Sequence, residues 1–232
     1  MKDNNEKIPK HIGIVINGSE IWSKERNLPL EEGYKRSYEK IHQIGNFFFS
    51  SGVDFVSVLF FTQDKWQSEK KQINALFSGL TQVIKRRIIF LENLEKIHSK
   101  YQVMFSGELK ELPDDLNQAC NKISELSLNN KKKILNICLN YDFQTEITNA
   151  IQKIFEKKLD QTQIHKGMIS KYLYNNKLGK IDMMLHTGSF LEIPNFLSWQ
   201  SIGAKLIFHQ KYWPEFEETD ASKVLKKYKQ IA

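Results

Sequence analysis

Arginine is scarce in this chain. Of its 34 basic side chains four are Arg (Arg26, Arg36, Arg86 and Arg87) and the rest are Lys, scattered without a basic stripe interleaved with aromatics. The scatter of the +7 net charge argues poorly for nucleic acid, and because Arg grips phosphate with a rigid bidentate fork whereas Lys is a mobile point charge, the many Lys do not by themselves make a phosphate clamp. It leaves an expectation of peripheral contact with an anionic membrane surface. Cysteine is equally sparse: Cys120 and Cys138 are spaced unlike metal ligands and read as small core fillers. No apolar run is long enough to cross a bilayer, since residues 47–61 are broken by Ser50-Ser51-Gly52 and by Asp54. The first ten residues, MKDNNEKIPK, lack the apolar segment of a signal peptide and read as a flexible lead-in. With no internal repeat, the expectation is one soluble, cytoplasmic domain over residues 11–232.

What is present is organised around residues 11–22, HIGIVINGSEIW. Ile12, Ile14, Val15 and Ile16 followed by Asn17-Gly18 read as a buried strand over 11–17 that delivers its C-terminal end into a turn. In an α/β sheet ligands bind there, because strand C-termini and helix N-termini converge. After a loop carrying Trp22, the pattern predicts a helix over 33–49 closed by Gly52, then a strand over 53–61. A helix over 71–100 carries Ile73, Leu76, Phe77, Leu80, Val83 and Ile84 at helical spacing. A strand over 102–105 and a helix from Pro113-Asp114 to 126 follow. Strands over 133–140, 181–185 and 205–208 then alternate with helices over 144–157, 166–174 and 220–231. That order predicts an α/β fold: a single domain with a mostly parallel sheet of about six strands flanked by helices, joined by right-handed crossovers.

Six stretches carry a family likeness. They are Asn17-Gly18-Ser19-Glu20-Ile21-Trp22, Phe61-Thr62-Gln63-Asp64-Lys65-Trp66, Leu135-Asn136-Ile137-Cys138-Leu139-Asn140-Tyr141-Asp142-Phe143-Gln144, residues 182–200, Ala204-Lys205-Leu206-Ile207-Phe208 and Trp213-Pro214-Glu215-Phe216. In that order they resemble the motifs of the cis-prenyltransferases, the undecaprenyl diphosphate synthase family, over about residues 11–216. The resemblance implies that family's fold, with a prenyl chain or prenyl diphosphate as ligand and an apolar tunnel flanked by the helix bearing Ile73, Phe77 and Leu80. It also implies a dimer built from residues 195–213, in which Phe196, Trp199 and Trp213 supply apolar area that a monomer would expose.

The chemistry of the motifs is altered. Asn17 stands where the family has an Asp that organises magnesium and proton transfer, and an amide can neither ionise nor act as a base. Glu20 replaces a Gly and Ile21 an Arg, while Leu30, Tyr34 and Ser68 fall where the family has an Arg, a His and an Arg. The late Arg-Thr-x-Gly-Glu-x-Arg-x-Ser clamp has become His186-Thr187-Gly188-Ser189-Phe190-Leu191-Glu192-Ile193-Pro194, and Lys205 takes the place of a metal-associated Glu. No cofactor is therefore expected, the family's magnesium site being lost, and ordinary condensation of isopentenyl diphosphate is not expected either.

Two functions remain. One is a non-catalytic accessory subunit or prenyl-chain binder, as a homodimer or a heterodimer with an intact cis-prenyltransferase. The other is an enzyme rebuilt for cyclisation or transfer, with Asn17, Glu20 and His186 as the altered catalytic positions; Glu20, His186, Glu192 and Lys205 would then place four ionisable groups around one pocket. The residues expected to meet the ligand are Gly18, Ser19, Trp22, Trp66, Asn140, Glu192, Asn195, Lys205, Phe77 and Leu80. Trp22 and Trp66, with Phe196, Trp199, Trp213 and Pro214, equally suit plain packing, and Asn140 and Asn195 equally suit backbone satisfaction.

Overall fold

Strand β1 (His11–Val15) carries side chains that are all buried, which fits a strand in the middle of a sheet covered on both faces. In this computed structural model, which describes residues 7–92, 101–128, 132–158, 163–188 and 195–232, β1 pairs in parallel with β2 (Phe55–Leu59), His11 opposite Phe55 and Val15 opposite Leu59. On its other side it pairs with β5 (Met183–Thr187), Ile12 opposite Met183. With β3 (Gln102–Ser106), β4 (Ile134–Cys138) and β6 (Lys205–His209) the sheet has six strands in the order β3-β4-β2-β1-β5-β6, every pair parallel. The expected single-domain α/β fold is borne out, and the sheet is wholly parallel where a mostly parallel one was expected.

The strands are shorter than the apolar runs that announced them. The ladder stops at Val15, Leu59 and Cys138, and the chain then bends over the C-terminal edge: the Phe60 and Phe61 amides both reach the Cys138 carbonyl. Asn17 and Asn140 thus lie just beyond strand ends. The expected loop carrying Trp22 is instead a helix, α1 (Ser19–Glu25), which starts after Gly18 without a side-chain cap. That absence explains why the sequence pattern did not announce it.

Helix α2 (Leu30–Ser50) begins three residues before its expected start, directly after Pro29. Helix α3 (Lys70–Glu92) has the expected apolar stripe; the expected extension over 93–100, like the lead-in over 1–6, lies outside the described residues. Together with α4 (Asp114–Leu126) and α7 (Glu218–Ile231), they cover one face of the sheet around a core that includes Ile14, Val58, Ile137, Tyr38, Leu80, Leu116 and Val224. A smaller core on the other face holds Val15, Leu59, Cys138, Tyr141, Met184, Phe196 and Leu197 with Phe143 of α5 (Phe143–Glu156), which packs on α6 (Lys166–Tyr172).

That second face also carries a buried polar chain. His11 Nε2 lies 2.9 Å from Ser57 Oγ, Asn136 Nδ2 donates to Ser57 Oγ at 3.2 Å, and Ser106 Oγ donates to Asn136 Oδ1 at 2.7 Å. Four neighbouring strands are thereby linked by side chains inside the core.

Two expectations about the late segment are corrected. Phe196 and Trp213 are not spare area for a dimer: both are buried within the chain, Trp213 stacked on Phe216 and donating its indole N–H to the Ser37 carbonyl. A large ring near a family motif does not say which surface it covers. Trp199 is half-buried and donates to Ser170 Oγ. The exposed apolar side chains of that segment are Ile202, Leu206 and Phe208. Cys120 and Cys138 are free and buried, as core fillers would be. Among the described residues no helix is long and apolar enough to cross a membrane.

Candidate functional site

The end of β1 opens into a cavity of about 140 Å³ whose walls include Asn17, Gly18, Ser19, Glu20, Tyr34 and Lys65. Three contacts fix its floor. Asn17 donates through Nδ2 to the Thr187 carbonyl at 3.0 Å and through its amide to Thr187 Oγ1 at 3.3 Å, while its carbonyl accepts from the Trp213 amide at 2.9 Å. The Asn17 side chain is therefore held by the end of β5.

Gly18 follows at φ 91, and a Cβ there would fall 2.2 Å from the Tyr212 ring. Positive φ and close approach both require glycine at this turn. The turn delivers α1, whose first residues, Ser19, Glu20 and Ile21, line the cavity. Ser19 Oγ lies 2.7 Å from Ser37 Oγ, tying the start of α1 to α2.

Glu20, in the first turn of α1, accepts a hydrogen bond of 2.7 Å from the Tyr34 hydroxyl. Burial, and then the Glu20 carboxylate beside it, push the Tyr34 phenol well above its ordinary range. The pair thus stays a neutral phenol donating to a carboxylate. Lys65, from a turn of 3-10 helix over Gln63–Gln67, is the one cation on the walls among the described residues.

The other expected site residues are spread more widely. Trp22 carries the Arg26 guanidinium over its ring at 4.9 Å, and Arg26 pairs with Glu215. Trp66 and Asn140 do come together, the indole N–H donating to Asn140 Oδ1 at 2.7 Å. Asn140, at φ 49, also donates to the Glu108 carbonyl and to Glu111, and Asn195 accepts from the Phe143 amide and donates to Asp142. Both amides satisfy backbone groups. Phe77 and Leu80 stand in the hydrophobic core, Phe77 with its ring 5.3 Å from those of Phe61 and Trp66.

Of the four groups expected around one pocket, Glu20, His186, Glu192 and Lys205, Glu20 is the one that lines the cavity at the end of β1 among the described residues. His186 is buried in β5 with its ring 4.9 Å from that of Phe208, and burial holds its pKa below the usual imidazole range. Lys205 opens β6 opposite Met183, level with Ile12, so in this chain it sits roughly 16 Å along the strand direction from Asn17. Glu192 lies outside the described residues. Motif order places residues along a chain, and the strand register decides which end of the sheet they reach.

Sequence reasoning missed Tyr34 as the partner of Glu20, Thr187 as the anchor of Asn17, and Lys65. A second cavity of about 370 Å³ lies between α2 and α3, the helix expected to flank an apolar tunnel, and the polar residues Tyr38, His42 and Arg87 that line it beside Val83 and Phe90 were not expected. The available signal was the run Tyr34, Tyr38, His42 at four-residue spacing on α2, polar tips on an otherwise apolar face.

With this geometry in hand, comparison with known proteins decides the family. Residues 15–232 match the family model described as "Putative undecaprenyl diphosphate synthase". The chain belongs to that family. It is similar to the isoprenyl transferase of Rickettsia bellii, 32% identical over 219 residues that make up 94% of each chain. The isoprenyl transferase of Fusobacterium nucleatum is 28% identical over 225 residues, 97% of this chain and 94% of the relative. Among solved structures, lavandulyl diphosphate synthase from Lavandula x intermedia, in complex with dimethylallyl diphosphate, superposes with a TM-score of 0.87 at 21% identity over 96% of this chain and 95% of that one. A "probable undecaprenyl diphosphate synthase" from Campylobacter jejuni gives 0.77 at 18% identity with the same coverage. These two likenesses show the shared fold. The protein is thus a cis-prenyltransferase-fold protein of isoprenoid metabolism.

Proposed function

We propose that this cis-prenyltransferase homologue is non-catalytic: an accessory subunit or binder of a prenyl chain or prenyl diphosphate. The observation that carries the reading is the filling of the pocket at the end of β1. Its carboxylate, Glu20, lines the pocket in the first turn of α1 and is already bonded to Tyr34, while Asn17 is tied to Thr187. Magnesium demands near-octahedral oxygen ligands and is usually held by one or two carboxylates plus substrate phosphates. A neutral Asn17 amide, one engaged carboxylate and a distant Lys205 ammonium do not fit that ion. Each missing charge-assisted contact to a phosphate is worth about 1.5–3 kcal/mol, and several are missing together.

A second reading, an enzyme rebuilt for cyclisation or transfer, draws on the Glu20–Tyr34 pair with Lys65 on the same walls. It is the weaker one, because His186 and Lys205, which it would also use, are not among the residues that line this cavity.

The proposal includes association, with a second copy or an intact relative. A parallel sheet is ordinarily covered on both faces, yet at β6 Leu206 and Phe208 stand exposed beside Ile202. It also places the protein in the cytoplasm.

Incubation with farnesyl and isopentenyl diphosphates and magnesium is expected to give no condensation product, and Asn17→Asp alone is not expected to restore one. Glu20→Ala should leave prenyl binding and activation of a partner intact. Robust product from the unmodified protein would overturn the proposal, and a new product abolished by Glu20→Ala would favour the second reading.

A further inference from the structure

The charges on the walls of the pocket at the end of β1 cancel. Among the described residues those walls carry one carboxylate, Glu20, and one ammonium, Lys65. Both residues are half-buried and line the cavity. Lys65 has no carboxylate within ion-pair distance among the described residues, and cations of the flanking segments are engaged elsewhere: Arg26 with Glu215, Lys35 with Glu31 and Glu32, Lys40 with Glu217.

The neutral donors of the walls are engaged too. Tyr34 gives its hydroxyl proton to Glu20 Oε1 at 2.7 Å, Asn17 Nδ2 donates to the Thr187 carbonyl at 3.0 Å, and Ser19 Oγ lies 2.7 Å from Ser37 Oγ. A diphosphate only accepts hydrogen bonds and is multiply charged, so it calls for several donors and more than one positive charge. Here it would meet one ammonium set against one carboxylate, and like charges brought together in a partly desolvated site repel.

A hydroxyl differs in kind. It is uncharged, can donate to the acceptor capacity that Glu20 keeps beyond Tyr34, and can accept from an ammonium such as Lys65. Size agrees with charge. At roughly 30 Å³ per heavy atom, the share of a water molecule in the liquid, a cavity of about 140 Å³ holds about five heavy atoms. That is a hydroxyl with most of one isoprene unit beside Ile16, Ile21 and Phe60, whereas a diphosphate head alone is roughly twice as large.

We infer that Glu20 sets the head-group specificity of this pocket, admitting an uncharged prenyl alcohol and rejecting the corresponding diphosphate. This specificity rests on the prenyl binding proposed above and narrows it to one chemical class of ligand. The carboxylate is the barrier to anions, and the Tyr34 hydroxyl holds it on the wall.

The test is calorimetric titration of the purified full chain with geraniol and, separately, with geranyl diphosphate, each with and without magnesium. Geraniol should bind at least about tenfold more tightly than the diphosphate, the margin expected of an unpaired like charge at the head group. Glu20→Gln, which removes the charge and keeps an acceptor for Tyr34, should strengthen diphosphate binding by about tenfold or more and close the gap, and Glu20→Ala should close it too. Tyr34→Phe leaves the carboxylate in place and should keep the preference for the alcohol. Added salt should narrow the gap in the unmodified protein, because screening weakens the repulsion. Thermal unfolding of each variant checks that it folds; should Glu20→Gln not fold, Glu20→Ala and the salt dependence of the unmodified protein decide. Diphosphate binding as tight as that of geraniol, with or without magnesium, or a preference that survives both Glu20 variants, would overturn this specificity and leave prenyl binding standing. Absence of binding by either ligand would instead overturn the prenyl-binding role, and the specificity with it.

Discussion

His11 is a base that folding switches off. Burial beneath the second face of the sheet lowers its pKa from 6.5 to about 4, against the raising effect of the nearby Asp182. Between those values the unfolded chain holds a proton that the folded one refuses, so stability rises with pH through that window and is lost as pH falls from about 6.5 to 4. The loss at the acid end is about 3 kcal/mol. His11→Gln should flatten the curve, to be read from urea unfolding at pH 7 and pH 5; His42 and His186, also lowered by burial, leave a residual slope. Gly18 gives a second prediction at this scale. Gly18→Ala meets both the Tyr212 ring and a left-handed backbone, and should destabilise by about 2–4 kcal/mol. In a Tyr212→Ala background the steric part should be recovered and the backbone part, about 1–2 kcal/mol, should persist.

At the scale of elements, α1 and α2 cross at Gly33. A Cβ there would lie 2.2 Å from Ser23 Oγ and 2.3 Å from the Ser19 carbonyl oxygen, and the second atom is backbone. Gly33→Ala should therefore force the helices apart, lower the melting temperature by an amount equivalent to about 1–3 kcal/mol, and disturb Glu20 and Ser19 at the pocket. That crossing was not legible in the sequence, whereas the strands were: Ile12, Ile14 and Val15 announce β1, and the Asn17-Gly18 break announces where it ends. Helix α1 was read as a loop because its start has no side-chain cap. The site was legible where it is local, as with Asn17 to Glu20. It was illegible where it depends on packing: Tyr34 reaches Glu20 only because α2 folds back on α1, and Tyr101 meets His42 across 59 residues. Register made the remaining difference, since Lys205 and Asn17 belong to opposite ends of the sheet.

At the scale of the whole molecule, the two edges of the sheet are β3 and β6, and β6 shows Leu206 and Phe208 to the outside. If a partner covers them, Leu206→Lys should raise the dissociation constant of the assembly by about tenfold or more with little change in melting temperature of the protomer, as light scattering over a dilution series would report. A protein that is monomeric at every concentration, alone and with an intact relative, would remove the association. The order of the strands has a consequence for synthesis. β1 leaves the ribosome before the other five strands and takes the middle of the sheet, yet its own flank is β5: the Lys10 and His11 amides bind Asp182, and Asn17 is fastened to a residue 170 positions later. At roughly 5–20 residues per second of translation, the oldest strand waits on the order of ten seconds or more with one edge open. A chain halted before Thr187 could bury most of its helices and still lack the anchor that holds Asn17 at the floor of the pocket.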